Sequence, residues 1–202
     1  MPALPAERKA PDESWRVFIA IELPAKVRRK LKAHIDRLRE SVPEASASWS
    51  REDNLHLTLK FLGDTPVSQI ETLSQAAKSA ASQLSSFELV IKGCGAFPSR
   101  GQPRVIWIGI EDRSGQLGKL HHGLEQECAQ AGFAREQRPF HPHLTIARIR
   151  KPHGSRQLAI MHEEIGFEAE TVSVSALAVV RSELSSKGSR HTAISRHEFA
   201  LA

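Results

Sequence analysis

The chain has 202 residues, of which 40% are apolar and 25% charged, a composition that is ordinary for a folded globular protein. Its formal net charge of +5 favours anionic partners such as nucleic acid or phosphates, and an aromatic content of 5% argues against a broad stacking platform for single strands. No stretch approaches the roughly 20 apolar residues that cross a bilayer, and the first residues lack the apolar segment of a secretory signal. We therefore expect a cytoplasmic protein without membrane contact, with a flexible N-terminal tail at 1–14 and a single domain at 15–202.

The first half of the chain alternates apolar runs with helical patterns. Short runs rich in branched residues, or alternating in polarity, predict strands over 16–23, 46–49 and 54–63. Pro24 can begin a helix, and apolar residues at helical spacing continue it to about residue 40. Thr65 and Pro66 are expected to open a second helix, which ends at about Leu84.

The second half has more strands than helices. Strands are predicted over 87–93, 104–110, 141–148, 172–184 and 190–201. A helix is predicted over 114–132, and a polar stretch up to about Glu164 is either a helix or a loop. Short links between strands imply antiparallel hairpins, so the pattern indicates an α+β fold rather than a doubly wound parallel sheet.

One short motif occurs twice, 87 residues apart, as HLTL at 56–59 and HLTI at 143–146. Side chains alternate along a strand, so His56, Thr58 and Lys60 should share one face while Phe61 faces the core. In the second copy His141, His143 and Thr145 should share a face in the same way. The repeat therefore predicts two similar lobes, each of which gives one histidine and one threonine to a common cleft.

Paired histidines and threonines suit displacement at a phosphorus atom. One imidazole can activate the nucleophile while the other protonates the leaving oxygen, and the hydroxyl groups can bind nonbridging oxygens. This layout requires no metal ion. A metal site of His56, His141 and His143 is the alternative, but it lacks a further histidine or a carboxylate on the face of the first strand. The residues alone do not decide which histidine is the acid and which is the base.

The two motifs and their flanks, HLTLKFLG, FHPHLTIAR, RVIWIGI and RSELSSKGSRH, resemble the 2H phosphoesterase superfamily, and among its members the bacterial and archaeal RNA 2′,3′-cyclic phosphodiesterases, also called 2′-5′ RNA ligase-like proteins. The resemblance extends from Trp15 to Leu201. It implies a bilobal α+β fold in which two pseudo-symmetric lobes turn antiparallel sheets towards a central cleft and carry helices outside. We also expect the protein to be a monomer.

The resemblance implies hydrolysis of a terminal 2′,3′-cyclic phosphate on RNA to a 2′-phosphate, without a metal ion or other cofactor. Some relatives also join RNA through a 2′-5′ linkage. By resemblance His56 is the proton donor to the 3′ oxygen and His143 is the proton acceptor that activates water. Thr58 and Thr145 hold the phosphate.

Three further positions carry expectations from the resemblance. Arg148 meets the phosphate in such proteins, although strict alternation turns it away from His143, so that a bulge or twist is needed. Phe61 resembles an aromatic residue near the nucleobase, while alternation places it in the core. His141 either orients a neighbour or borders the cleft, and His191 stands in a region where such proteins often carry tyrosine.

Two other functions fit the same residues. The chain could hydrolyse a small cyclic nucleotide instead of an RNA end, or it could bind RNA without catalysis. The basic helix at 26–39 favours RNA over a mononucleotide. Two titratable histidines count against a module that only binds, since binding needs charge and stacking rather than proton transfer.

Overall fold

The structure is a computed structural model, and it describes residues 13–186 and 188–200. In these ranges the strands are β1 (Ser14–Glu22), β2 (Ala47–Trp49), β3 (His56–Pro66), β4 (Phe87–Phe97), β5 (Val105–Glu111), β6 (His143–Ile149), β7 (Glu170–Val174), β8 (Ala176–Ser185) and β9 (Gly188–Glu198). The helices are α1 (Ala25–Ser41), α2 (Ile70–Ser82), α3 (Gln116–Gln130) and α4 (Ser155–Ile165). The predicted tail at 1–14 lies outside the described residues except for its last two, and Ser14 already belongs to β1.

The strands form two antiparallel sheets, and each sheet takes strands from both halves of the chain. The first sheet has the order β3-β1-β8-β9, and the second has the order β2-β6-β5-β4-β7. The two strands that carry the repeated motif, β3 and β6, belong to different sheets and contact each other. The predicted bilobal α+β fold with antiparallel sheets is confirmed, and it brings the two motifs together.

The helices cover the sheets in two pairs. Helix α1 contacts α4, and α2 contacts α3. The predicted apolar stripe of α1 is confirmed, because Val27, Leu31, Ile35 and Leu38 are all buried. Lys30 on its outer side reaches across to Glu170 of β7, with 2.6 Å between Nζ and Oε2. The chain that connects β1 to β3 therefore packs against the second sheet, which fastens the two lobes to each other.

Three predictions about strand and helix boundaries are wrong, and strand pairing explains each. The strand predicted to stop at Gly63 continues to Pro66, because residues 63–66 pair with the start of β1. Consequently the second helix begins at Ile70 and not at Thr65. The single strand predicted over 172–184 is two strands, because the chain leaves the second sheet and enters the first at Ser175.

The polar stretch before residue 165 is a helix, α4, which settles the alternative left open by its composition. In the described part of the chain, none of the helices combines the length and the apolar character that crossing a membrane requires.

Candidate active site

His56 begins β3 and is held by a hydrogen bond to the backbone. Its Nδ1 lies 2.7 Å from the carbonyl oxygen of Asn54. A carbonyl can only accept, so Nδ1 carries a proton and the neutral ring has its lone pair on Nε2. That Nε2 lies 3.1 Å from the hydroxyl of Thr58, which is exposed. The first motif therefore presents a reactive nitrogen and a hydroxyl side by side.

His143 begins β6 and is held in the same way. Its Nδ1 lies 2.7 Å from the carbonyl oxygen of His141, again two residues earlier. The neutral ring therefore also keeps its lone pair on Nε2. His141 thus orients its neighbour through its backbone, while its own side chain is exposed. The two copies share one hydrogen-bonding pattern as well as one sequence.

Both motif strands contain a β-bulge at the same place. In the pairing of β1 with β3, Leu59 is an extra residue between Thr58 and Lys60. In the pairing of β5 with β6, Ile146 is the extra residue that follows Thr145. Leu59 and Ile146 are the last residues of HLTL and HLTI. A bulge reverses the alternation beyond it, so the side chains that follow each motif change faces.

The second bulge places Arg148 on the face of His143. Arg148 is exposed, whereas Ile146 and Ala147 are buried. Its positive charge acts on both His56 and His143 and lowers the pKa of each. The guanidinium therefore lies within electrostatic reach of both histidines, which is the placement that the resemblance required and strict alternation did not give.

The first bulge overturns two expectations from alternation. Lys60 does not share the face of His56: it is only 4% exposed, and its Nζ lies 2.7 Å from Oε1 of Glu125 on α3. Phe61 is not in the core: it is 49% exposed, and the guanidinium of Arg16 lies 4.8 Å from its ring centroid. Phe61 and Arg148 occupy equivalent positions, five residues after their histidines.

Burial dominates the electrostatics of the site. Burial, together with the charges of His191 and Arg148, lowers the pKa of His56 to about 4, although the hydrogen bond to Asn54 acts in the opposite direction. Burial likewise lowers the pKa of His143, in part offset by its bond to the His141 carbonyl. Both rings are therefore mainly neutral at pH 7.

A third histidine, His191, joins the site from β9. Its ring meets that of His56 edge to face, with 5.2 Å between centroids, and that of Phe18 at 5.0 Å. Phe18 in turn stacks on His56 at 4.6 Å. Burial lowers the pKa of His191. The sequence showed His191 in place of a frequent tyrosine, but not its contact with His56.

Asn54 fastens the β8–β9 hairpin to the first motif. Its carbonyl accepts from His56, and its side-chain amide donates to the carbonyl of Ser189 at 2.8 Å. One residue therefore couples the orientation of His56 to the strand that carries His191. Sequence reasoning missed Asn54, since an asparagine before a strand reads as an ordinary turn residue.

Among the residues that the structure describes, the cluster that could hold a metal ion lies away from the two motifs. His34, Cys94 and His162 have ligand atoms within 4.8 Å of one another. His162 Nε2 lies 2.9 Å from the carbonyl of Trp107, and its Nδ1 lies 2.9 Å from Nε2 of His34. The carbonyl fixes His162 as a donor at Nε2, so His34 donates to His162. These three residues do not include the histidines of the predicted metal alternative.

Comparison with known proteins gives one family and a consistent fold. The family model described as the 2′-5′ RNA ligase superfamily matches residues 27–185. A protein of Methanothermobacter thermautotrophicus named RNA 2′,3′-cyclic phosphodiesterase is 31% identical over 180 residues, which cover 88% of this chain and 95% of the relative. Two solved structures are each 26% identical. TT0787 of Thermus thermophilus has a TM-score of 0.74, covering 92% of this chain and 98% of its own. E. coli LigT, solved with 3′-AMP, has a TM-score of 0.68, covering 93% and 99%.

Proposed function

Because this chain belongs to the 2′-5′ RNA ligase superfamily, we propose that it is an enzyme that hydrolyses the 2′,3′-cyclic phosphate at an RNA end to a 2′-phosphomonoester. The observation that carries the proposal is the pair of histidines on contacting strands, each with Nδ1 bound to a carbonyl and Nε2 available. The cytoplasmic location and the monomeric state stay predictions.

His143 acts as the base in this proposal. Its neutral Nε2 takes a proton from water while the water oxygen forms a bond to phosphorus. A pocket of about 310 Å³ opens beside His143, which gives the entering group a place on this side of the reaction centre. The position of this pocket supports the assignment of His143 as proton acceptor.

His56 acts as the acid. The bond between phosphorus and the 3′ oxygen breaks, and that oxygen takes a proton from Nε2 of His56. The pKa of about 4 disfavours the protonated ring before substrate binds. A bound phosphate carries a negative charge, which raises the pKa of an adjacent imidazole and so stabilises the acid form when it is needed.

The nonbridging oxygens gain negative charge in the transition state and need donors. The hydroxyl of Thr58 lies 3.1 Å from Nε2 of His56, and Thr145 has the same position in the second motif. Arg148 supplies a full positive charge. These donors let the protein stabilise the charge with its own residues, without a metal ion. Phe61 is exposed at the equivalent position of the first lobe, which supports its proposed contact with the nucleobase.

The test is product analysis in the presence of a chelator. An RNA that ends in a 2′,3′-cyclic phosphate should yield a 2′-phosphate, and an oligonucleotide should react faster than a cyclic mononucleotide. His56→Ala and His143→Ala should each lose roughly 10²–10⁴ in rate, the usual contribution of a general acid or base. His153→Ala, which changes an exposed histidine outside the site, is the matched control.

Circular dichroism should show that all three variants remain folded. Full activity in both motif variants, or a 3′-phosphate as product, would refute the proposal.

A further inference from the structure

Three side chains that commonly bind metal ions meet beneath the helices of the second sheet. They are His34 on α1, Cys94 on β4 and His162 on α4, and their ligand atoms all lie within 4.8 Å of one another. His34 is 4% exposed, His162 is fully buried and Cys94 is partly buried. The proposed reaction uses none of these side chains, so it does not explain why they meet at this place in the core.

A β-bulge places Cys94 on the face of β4 that the helices cover. In the pairing of β4 with β5, one extra residue lies between Ile91 and Cys94. Gly93, within the bulge, has a φ of 80°, a conformation that favours glycine. Because the bulge exchanges the two faces beyond it, Cys94 lies on the same face as the buried Ile91, and α4 packs against this strand. The thiol therefore reaches the histidines of α1 and α4.

The backbone holds His162 in the orientation of a metal ligand. Its Nε2 donates to the carbonyl oxygen of Trp107 at 2.9 Å, which leaves the lone pair on Nδ1. Histidines that bind metals commonly donate from the second ring nitrogen in this way, because the hydrogen bond fixes the tautomer and the ring plane. Nδ1 of His162 lies 2.9 Å from Nε2 of His34. Two of the three ligand atoms therefore face each other across a single shared proton.

The distances suit a tetrahedral Zn²⁺ ion after a small adjustment. With Zn–N bonds of about 2.0–2.1 Å and a Zn–S bond of about 2.3 Å, neighbouring ligand atoms lie about 3.3–3.6 Å apart. The nitrogens of His34 and His162 must separate by about 0.4 Å, and the sulfur of Cys94 must approach by no more than about 1.3 Å. Small rotations of these side chains can supply both shifts.

The charges near the cluster favour a divalent cation. The carboxylate of Glu163 acts electrostatically on both Cys94 and His162. The exposed Arg37 acts on His34 with the opposite sign. A Zn²⁺ ion, one thiolate and the carboxylate of Glu163 together carry no net charge, and the imidazoles bind as neutral groups. The ion therefore leaves no unpaired charge in the core.

We propose that His34, Cys94 and His162 bind one Zn²⁺ ion, with water as the fourth ligand on the partly exposed side of Cys94. One thiolate and two imidazoles suit Zn²⁺, whereas Mg²⁺ and Ca²⁺ require oxygen ligands. When the ion binds, the thiol loses its proton to the solvent, and the proton between the two rings moves to Nδ1 of His34. The ion ties α1, α4 and β4 together, so its role is structural and not catalytic.

The first experiment measures zinc binding by the full chain. The protein is stripped with a chelator, and Zn²⁺ is then titrated in competition with a chromophoric chelator. We expect one ion per chain. We also expect Tm to rise by about 5–10 °C when free Zn²⁺ is about 100 times Kd, because the site exists only in the folded chain. No binding at micromolar Zn²⁺ would overturn the proposal.

The spectrum of bound Co²⁺ identifies the ligands. A tetrahedral Co²⁺ ion with a thiolate ligand has a charge-transfer band from sulfur to metal in the near ultraviolet, which nitrogen ligands alone do not give. Cys94→Ala should abolish this band. Cys128→Ala, at the other cysteine, is the matched control and should keep the band. A band that survives Cys94→Ala would place the ion elsewhere and contradict the proposal.

His34→Gln tests the histidine pair without removing its hydrogen bond. The glutamine amide can still donate to Nδ1 of His162, so the chain should remain folded, as circular dichroism can verify. Zn²⁺ should bind this variant roughly 100-fold more weakly or worse, since even the loss of a group that only orients a ligand costs about 10–100-fold. His153→Gln, at an exposed histidine, should bind like the wild type.

Equal Zn²⁺ affinity in His34→Gln and the wild type would show that the proposed site is wrong. This result is independent of the proposed function, because hydrolysis of cyclic-phosphate RNA is measured with the chelator present. The metal-free protein should therefore hydrolyse its substrate at the wild-type rate at temperatures where it is folded.

Discussion

Replacing Lys60 by methionine tests the bulge that separates this structure from a regular strand. Nζ of Lys60 lies 2.7 and 2.9 Å from the two carboxylate oxygens of Glu125 and 2.8 Å from the carbonyl of Ala134. The side chains of Lys60 and Glu125 are only 2% and 10% exposed. Methionine is of similar length and fills the space, but it removes the charge and all three hydrogen bonds.

The loss in stability follows from the charge left behind. In Lys60→Met, Glu125 keeps one backbone donor, the amide of Glu136 at 3.1 Å, and little contact with water. Breaking a buried ion pair by removing one partner costs about 3–5 kcal/mol. For a chain of this size each kcal/mol lowers Tm by about 2–4 °C, so we expect Tm to fall by roughly 10 °C.

Thermal and denaturant unfolding provide the measurement, with two further variants as controls. Lys60→Met combined with Glu125→Leu removes both charges and should recover most of the loss, because apolar groups often replace a buried pair without cost. Lys32→Met breaks a half-exposed pair with Asp36 and should cost no more than about 1 kcal/mol. At temperatures where Lys60→Met is folded, its kcat/KM should match the wild type.

The opposite pattern would refute the reasoning. If Lys60→Met melts like the wild type but loses activity on cyclic-phosphate RNA, Lys60 lies in the cleft beside His56. Strict alternation along β3 would then be right, and the bulge at Leu59 would be wrong.

Two predictions concern pH. Burial lowers the pKa of both motif histidines below 6.5. The active form, with one protonated and one neutral ring, is therefore most populated at acidic pH. Because kcat/KM reports the free enzyme, it should peak below pH 6.5 and fall above that pH. His191→Gln removes a charge that lowers the pKa of His56, so the acidic limb of this profile should move to higher pH, and an unmoved limb would contradict the contact. Burial also lowers the pKa of His34 to about 4 and lowers that of His162, so the unfolded chain binds protons first as the pH falls. The free energy of unfolding of the metal-free protein should therefore be highest above pH 6.5 and decline towards pH 4. His34→Gln still donates a hydrogen bond to His162, and in denaturant titrations it should make that decline less steep. The control variant His153→Gln should leave the decline unchanged.

The residues of the candidate site could be named from the sequence because they stand in a short local pattern. The repeat of HLTL and HLTI named both histidines and both threonines without any knowledge of the fold. The apolar stripe of α1 depends on residues close together in the chain, and it was confirmed. Its physical basis is periodicity, which every short segment carries in itself.

The placement of Lys60, Phe61 and Arg148 could not be predicted in the same way. Each follows a bulge, and a bulge exists only in relation to the partner strand, β1 in one lobe and β5 in the other. Since one extra residue exchanges the two faces of a strand, a local rule fails beyond it. The family resemblance required Arg148 to face the cleft, but only the pairing of β5 with β6 gave the reason.

The sequence alone was enough to indicate the reaction type, since two nearly identical short motifs contain the two histidines and two threonines that the proposed reaction uses. What surrounds them depends on the tertiary structure: the passage of the chain between sheets at Ser175, the position of His191 beside His56, and the pocket beside His143. The physical reason is the distance along the chain between the residues that interact. Chemical identity belongs to single residues, whereas burial, pKa and pocket shape arise from segments that lie far apart in the chain and meet only when both sheets have formed.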